Sequence, residues 1–169
     1  DSIMYDMATW AAPLAYNLDA YWSETKPRVK ADLVKESLAY SSGVTQVRDA
    51  YAYVIDWDQR HAPKALARLW AKGYKVRSAR KEFNNGLRTY SRGTLVILMG
   101  RNTDKTDSVR DDMDQLARQT SVMIDAFTTG RMKEGIDFGS GNMVPLKNPK
   151  VGLMVDTPFN SYTAGQLWY

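Results

Sequence analysis

The chain has 169 residues, 44% hydrophobic and 25% charged, which suits one soluble globular domain with short extensions and argues against wholesale disorder. It has no cysteine, so disulfides, thiolate zinc sites and a cysteine nucleophile are excluded. The 23 Lys and Arg against 19 Asp and Glu are interspersed, a pattern of a mixed solvated surface rather than a nucleic-acid footprint.

Residues 1–24 concentrate aromatics (Tyr5, Trp10, Tyr16, Tyr21 and Trp22) in apolar segments broken at Pro13. This density predicts packing against another surface rather than a ligand box. The stretch from Met4 to Trp22 comes nearest to a membrane span, but Asp6, Pro13, Asn17 and Asp19 interrupt it, and no span is expected. Residues 25–49 are polar, with a turn signal at Ser41, Ser42 and Gly43, and residues 1–49 together read as an aromatic-rich segment and linker.

Residues 50–149 read as the main α/β domain. Residues 50–55 are β-prone and are followed by a loop, Asp56 to Arg60. A helix is expected from His61 to Lys72, with Pro63 in its first turn, Gly73 after its end, and Ala65, Leu66, Leu69 and Trp70 at helical spacing. Residues 74–79 alternate as a strand, 83–86 turn, and 88–90 extend briefly. The unbroken apolar run 94–99 suits a strand covered on both faces, as in a parallel sheet.

Asp107 or Ser108 then caps a helix to about Gln119, with Val109, Met113, Leu116 and Ala117 on one face and Asp111 and Asp112 at its amino end. Residues 121–127 form a further strand, and 128–150 read as a loop rich in Gly, Lys and Pro. Residues 150–169 begin another strand–helix unit that stops before it is complete. With no initiator Met at one end and Leu167, Trp168 and Tyr169 at the other, the chain is expected to be a fragment of a larger protein. The alternation predicts a three-layer α/β fold, with a mostly parallel sheet and flanking helices in a flavodoxin- or amidotransferase-like arrangement.

The single histidine limits the chemistry. A Ser-His-Asp triad would need His61, and no G-x-S-x-G elbow accompanies it. A two-histidine zinc site needs a second histidine, so no metal site and no catalytic residue is assigned within this chain. Asp56 and Asp58 fall at the end of the first strand, where open parallel sheets bind ligands. Asp56, Asp58, Arg60 and His61 are therefore the candidate ligand-binding residues, although aspartates at a strand–helix junction are also ordinary caps.

The glycines of 135–142 fit neither a dinucleotide fingerprint nor a P-loop, because no helix follows them. The basic residues Lys75, Arg77, Arg80, Lys81, Arg88, Arg92 and Arg101 cluster in sequence. Polar positions of half-exposed strands explain them better than a phosphate-tracking stripe, and no nucleic-acid partner is expected.

Tyr5-Asp-Met-Ala-Thr-Trp-Ala-Ala-Pro-Leu14, Tyr51-Ala-Tyr-Val-Ile-Asp-Trp57 with Ala62-Pro63, Gly135-Ile-Asp-Phe-Gly-Ser140 and Lys147-Asn-Pro-Lys-Val-Gly-Leu-Met154 follow one another in an informative order. In that order the chain resembles the C-terminal half of large bacterial zinc-carboxypeptidase-like proteins, which continues into a class I glutamine amidotransferase-like module. The resemblance implies a periplasmic or secreted hydrolase as the parent, with zinc held by the parent's peptidase domain and no cofactor in this piece. The family's His-x-x-Glu zinc segment does not carry over, since His61 is followed by Ala62, Pro63 and Lys64. The amidotransferase nucleophile is a cysteine, and this chain has none. The resemblance therefore implies a non-catalytic accessory domain that packs beside the parent's peptidase domain or binds a peptide or glycan. The alternatives from the residues alone are a stand-alone small-molecule-binding module and, behind it, a basic nucleic-acid-binding domain.

Overall fold

The computed structural model describes residues 13, 19–26, 28, 30 and 41–152. The chain divides into two units, Asp1–Leu38 and Ala39–Tyr169, and the architecture below belongs to the second. The strand–helix unit expected over 153–169 and most of the aromatic segment over 1–24 lie outside the described residues.

A six-stranded sheet runs in the order β1-β7-β2-β6-β3-β9. Its strands are β1 (Gly43–Val44), β2 (Ala52–Ile55), β3 (Arg77–Ala79), β6 (Leu95–Leu98), β7 (Met123–Phe127) and β9 (Met143–Pro145). A smaller sheet orders β5 (Thr89–Tyr90), β4 (Phe83–Asn84) and β8 (Glu134–Gly135). Two helices, α1 (Ala62–Ala71) and α2 (Val109–Thr120), complete the described elements, together with short 3-10 turns at Met99–Arg101 and Thr103–Lys105. The chain is thus of the α/β class.

The sequence pattern locates the main elements, but the strand directions differ from the expectation of a mostly parallel sheet. Among the described residues the large sheet has one parallel junction, β1 with β7. Its other junctions, β7 with β2, β2 with β6, β6 with β3 and β3 with β9, are antiparallel. The physical reason is interleaving. β2 and β3 run the same way and are joined through α1, while β6 and β7 run the opposite way and are joined through α2. Each unit places a strand between the two strands of the other: β6 lies between β2 and β3, and β2 lies between β7 and β6. Two β-α-β units therefore mesh into an antiparallel centre.

Local chemistry explains the helix boundaries. Pro63 sits in the first turn of α1, where its missing N–H costs no intrahelical bond. The carboxyl end closes with Gly73 at φ +80°, its N–H donating to the Trp70 carbonyl, while the Tyr74 N–H donates to the Leu69 carbonyl at 2.9 Å. This is the paired closure that a left-handed glycine permits. In α2, Ser108 occupies the N-cap position, yet its hydroxyl donates to Asp112 rather than accepting from a cap amide.

The large sheet is covered on both faces. Tyr53 and Ile55 of β2 and Leu95 and Ile97 of β6 share a core with Leu66 and Leu69 of α1 and Met113 and Leu116 of α2. The alternate residues Ala52, Val54 and Val96 share the opposite core with Phe83, Tyr90 and Phe138. The β6 run is covered on both faces as expected, but its second cover is a sheet rather than a layer of helices. The layers are helices, large sheet and small sheet.

The second core is aromatic. Phe83 stacks on Tyr90 at 4.9 Å between ring centroids, and Phe138 meets both Phe83 and Phe127 edge-on. Phe127 closes the circuit against Tyr90 at 5.6 Å. Such pairs each add about 0.5–1.5 kcal/mol beyond their burial. Both β8 and β9 fall in the stretch 128–150 expected to be loop. Gly135 makes the small sheet possible: at φ +84° it lies so close to β4 that a Cβ would meet the Glu82 carbonyl oxygen at 2.5 Å.

Candidate functional site

Interleaving gives the large sheet two unlike ends. The end at the carboxyl terminus of β2 carries the residues singled out from the sequence. Asp56 is 5% exposed, and both of its carboxylate oxygens are engaged. Arg88 donates to Oδ2 at 2.6 Å. Ser91, Thr94 and the Asp58 backbone N–H donate to Oδ1 at 3.0–3.3 Å. Arg88 also reaches Asp125 at 3.3 Å, and the Tyr90 hydroxyl donates to the same Asp125 oxygen at 2.9 Å. Asp56 is thus one corner of a polar network that joins β2, β5, β7 and the turn before β6.

Asp58 touches that network through its backbone N–H, and Arg60 and His61 follow it in the chain. They line a hollow of about 330 Å³ with Ser41, Gln59 and Ser121, and Asp56 does not line it. Gln59 is held in place by a reciprocal pair: its side-chain amide donates to the Met123 carbonyl at 2.8 Å, and the Met123 N–H donates back to Oε1 at 2.6 Å. Ser121, at φ 53°, turns the chain from α2 into β7 beside it. The hollow therefore brings together three of the four candidates, while the Asp56 carboxylate, bonded to the Asp58 N–H, does not line it.

The opposite end of the sheet holds two adjoining hollows of about 420 and 270 Å³. They share Arg77, Leu98 and Arg101. The larger is floored by Trp70, Val76 and Leu146, and the smaller is flanked by Tyr51 and Phe138. Among the described residues the lining includes the cations Lys75, Arg77 and Arg101 and no carboxylate. Arg77 donates through both Nε and Nη2 to the Met143 carbonyl, which ties β3 to β9.

Asn102 builds this end. It is 1% exposed, and its amide accepts from the Lys75 N–H at 2.8 Å and donates to the carbonyls of Lys75 and Leu98. One side chain thus clamps the entry to β3 against the exit from β6. In the sequence Asn102 falls within Gly100 to Thr103, which reads as a turn before a helix. Its only signal was a polar residue just after an apolar strand, which is also the signature of an ordinary turn.

Several buried or half-buried groups have shifted acidities. Burial pushes the Tyr74 hydroxyl well above its ordinary value, and its hydrogen bond to Asp112 adds to the effect. Burial, then the bond to Asp125, does the same to Tyr90. Burial also raises Tyr53. For Asp112 burial acts upward, but hydrogen bonds from Lys72, Tyr74 and Ser108, with the Lys72 charge, outweigh it and hold the carboxyl below its ordinary value.

Among the described residues no three His, Cys, Asp or Glu side chains converge as a metal requires, and the most buried candidate, Asp56, is saturated by the protein's own donors. These residues do not fit a zinc ion. No helix among the described residues is long and apolar enough to cross a membrane. No protein-family model matches the chain, and neither does any curated protein or any solved structure.

Proposed function

We propose that this chain is a non-catalytic accessory α/β domain of a secreted or periplasmic zinc-carboxypeptidase-like hydrolase, supporting the parent's peptidase domain or binding a peptide or glycan. One observation carries the reading. Asp56, one of the two strand-end carboxylates singled out by sequence, has both oxygens committed to Arg88, Ser91 and Thr94. A general acid or base needs an oxygen that can face substrate, and a group saturated by internal donors serves the fold instead. Zinc would belong to the parent's peptidase domain. The parallel flavodoxin- or amidotransferase-like arrangement is not part of the proposal, because the described sheet is antiparallel at its centre.

The experiment compares this chain with the parent on a C-terminal peptide substrate, with and without a chelator. The expected result is chelator-sensitive hydrolysis by the parent, reduced when this domain is deleted, and none by the chain alone. Chelator-sensitive hydrolysis by the chain alone overturns the reading. So does a parent sequence lacking both the His-x-x-Glu segment and the later histidine.

A second reading, a small-molecule-binding module, is favoured by the hollow in which Asp58, Gln59, Arg60 and His61 converge. It predicts ligand-induced shifts confined to these residues. A screen in which they never respond sinks it.

A further inference from the structure

The geometry points to a binding site for a monoanionic carboxylate with an apolar body, lying at the sheet end that carries Arg77 and Arg101. This inference stands apart from the accessory reading, since it depends on the groove and not on what the parent does.

The two hollows are continuous in their lining, because Arg77, Leu98 and Arg101 border both. The larger, about 420 Å³, is of a size that holds a small organic ligand. Its walls combine an indole, aliphatic side chains and three cations, with no carboxylate among the described lining residues. Charge complementarity therefore selects an anion. Among the described residues neither Lys75 nor Arg101 is in an ion pair, whereas Arg88 at the other end of the sheet is doubly engaged. Arg77 has committed Nε and Nη2 to Met143, so its position is fixed before any ligand arrives. Asn102 fixes the backbone of Lys75 and Leu98 in the same way. A groove held by such internal bonds loses little freedom on binding.

The helix settles which end of the ligand goes where. Trp70 and Gly73 line the larger hollow at the carboxyl end of α1, the negative end of its dipole. That end repels an anion and suits the apolar body, seated against Trp70, Val76 and Leu146. The anionic group then falls at the junction of the two hollows, beside Arg77 and Arg101. A monoanion is favoured over a phosphate dianion for the same reason. In addition, neither α1 nor α2 brings its amino terminus to the lining, as phosphate sites commonly require. Guanidinium binds carboxylate through charge-assisted hydrogen bonds, which supply the selectivity over an uncharged analogue.

The test uses the full 169-residue chain and three probes: N-acetylphenylalanine, its uncharged amide and phenyl phosphate. Binding is followed by the Trp70 indole N–H resonance, assigned by Trp70→Phe. The acid is expected to bind saturably and shift this resonance, with the amide weaker by about tenfold or more. Arg101→Ala should weaken the acid by about five- to tenfold while leaving the amide spectrum of the core unchanged, because Arg101 is exposed. Lys75→Ala, also at an exposed residue, provides the second variant and should weaken the acid less than Arg101→Ala. No saturable binding of the acid, equal binding of acid and amide, or indifference to Arg101→Ala overturns the site. Tighter binding of phenyl phosphate than of the acid overturns the carboxylate assignment.

Discussion

Arg88 reaches from the turn before β5 to the end of β2 and pairs with the buried Asp56 carboxylate at 2.6 Å. The pair crosses from the small sheet to the large one, and Asp125 of β7 holds the other arm of the guanidinium at 3.3 Å. Arg88 also lies 5.0 Å from the Tyr90 ring centroid, so the aromatic core and the polar network share one cation.

Removing that cation should cost more than the pair's net worth, because Asp56 would remain buried with its charge uncompensated. Arg88→Met is expected to destabilise the domain by about 2–3 kcal/mol. The value falls below the about 3–5 kcal/mol of a fully buried pair because the Arg88 side chain is 44% exposed. Chemical denaturation measures it. A loss below about 0.5 kcal/mol, the size of an ordinary surface substitution, would show that the network is peripheral.

Asn102→Ala should be as severe, since it orphans the Lys75 N–H and deprives two carbonyls of their donor. About 2–3 kcal/mol is expected for a buried donor and acceptors left unmade. Hydrogen exchange should show the Lys75 amide losing protection ahead of the central strands. Unchanged exchange at Lys75 would exclude the clamp.

Acid stability should depend on Asp112, whose folded pKa is depressed below the ordinary 3.8. A depressed carboxylate stabilises the fold above its unfolded value, and that contribution is lost as pH falls through the folded value. Asp112 accepts from Lys72 at 2.6 Å and from Tyr74 at 2.7 Å, which links the end of α1 to the start of α2. Asp112→Asn should lower stability at neutral pH by about 1 kcal/mol and flatten the acid limb of the stability curve. Identical acid limbs for variant and parent would refute the assignment.

At the alkaline limb the sign reverses. Tyr74 and Tyr90 have folded pKa values raised above the ordinary 10.0, first by burial and then by bonds to Asp112 and Asp125. Their contribution is complete below that value and is lost as pH rises through the folded value. Thermal melts should fall steeply above about pH 10, and Tyr90→Phe should soften the fall. Tyrosinate absorbance appearing in full before unfolding would contradict both assignments.

Gly135→Ala combines a left-handed backbone with a backbone clash, since the new Cβ meets the Glu82 carbonyl oxygen at 2.5 Å. A loss of about 2 kcal/mol or more is expected. Gly139→Ala serves as the comparison, because nothing lies within 4 Å of its Cβ position. Similar melting temperatures for the two variants would remove Gly135 from the account of the small sheet.

The chain's own pattern determined β2, α1, β6, α2 and β7, because the two helices carry a readable period and the strands carry β-prone or unbroken apolar runs. Leu66 and Leu69 on α1, and Met113 and Leu116 on α2, face the core that their spacing announces. The lack of cysteine and the single histidine likewise narrowed the chemistry before any coordinates. Strand direction was decided only in three dimensions. Whether β6 lies beside β2 parallel or antiparallel depends on pairing across some forty residues, to which local periodicity is blind. β4, β5 and β8 have two residues each, too few to show alternation, so the second core was invisible as a unit. The strand-end rule that singled out Asp56 assumes a parallel sheet, where all carboxyl ends share one rim. Interleaving abolishes that rim. It turns Asp56 inward to Arg88 and leaves the apolar, cationic groove of Trp70, Arg77 and Arg101 at the other end, a set of neighbours assembled from positions 51 to 148 that only the tertiary structure brings together.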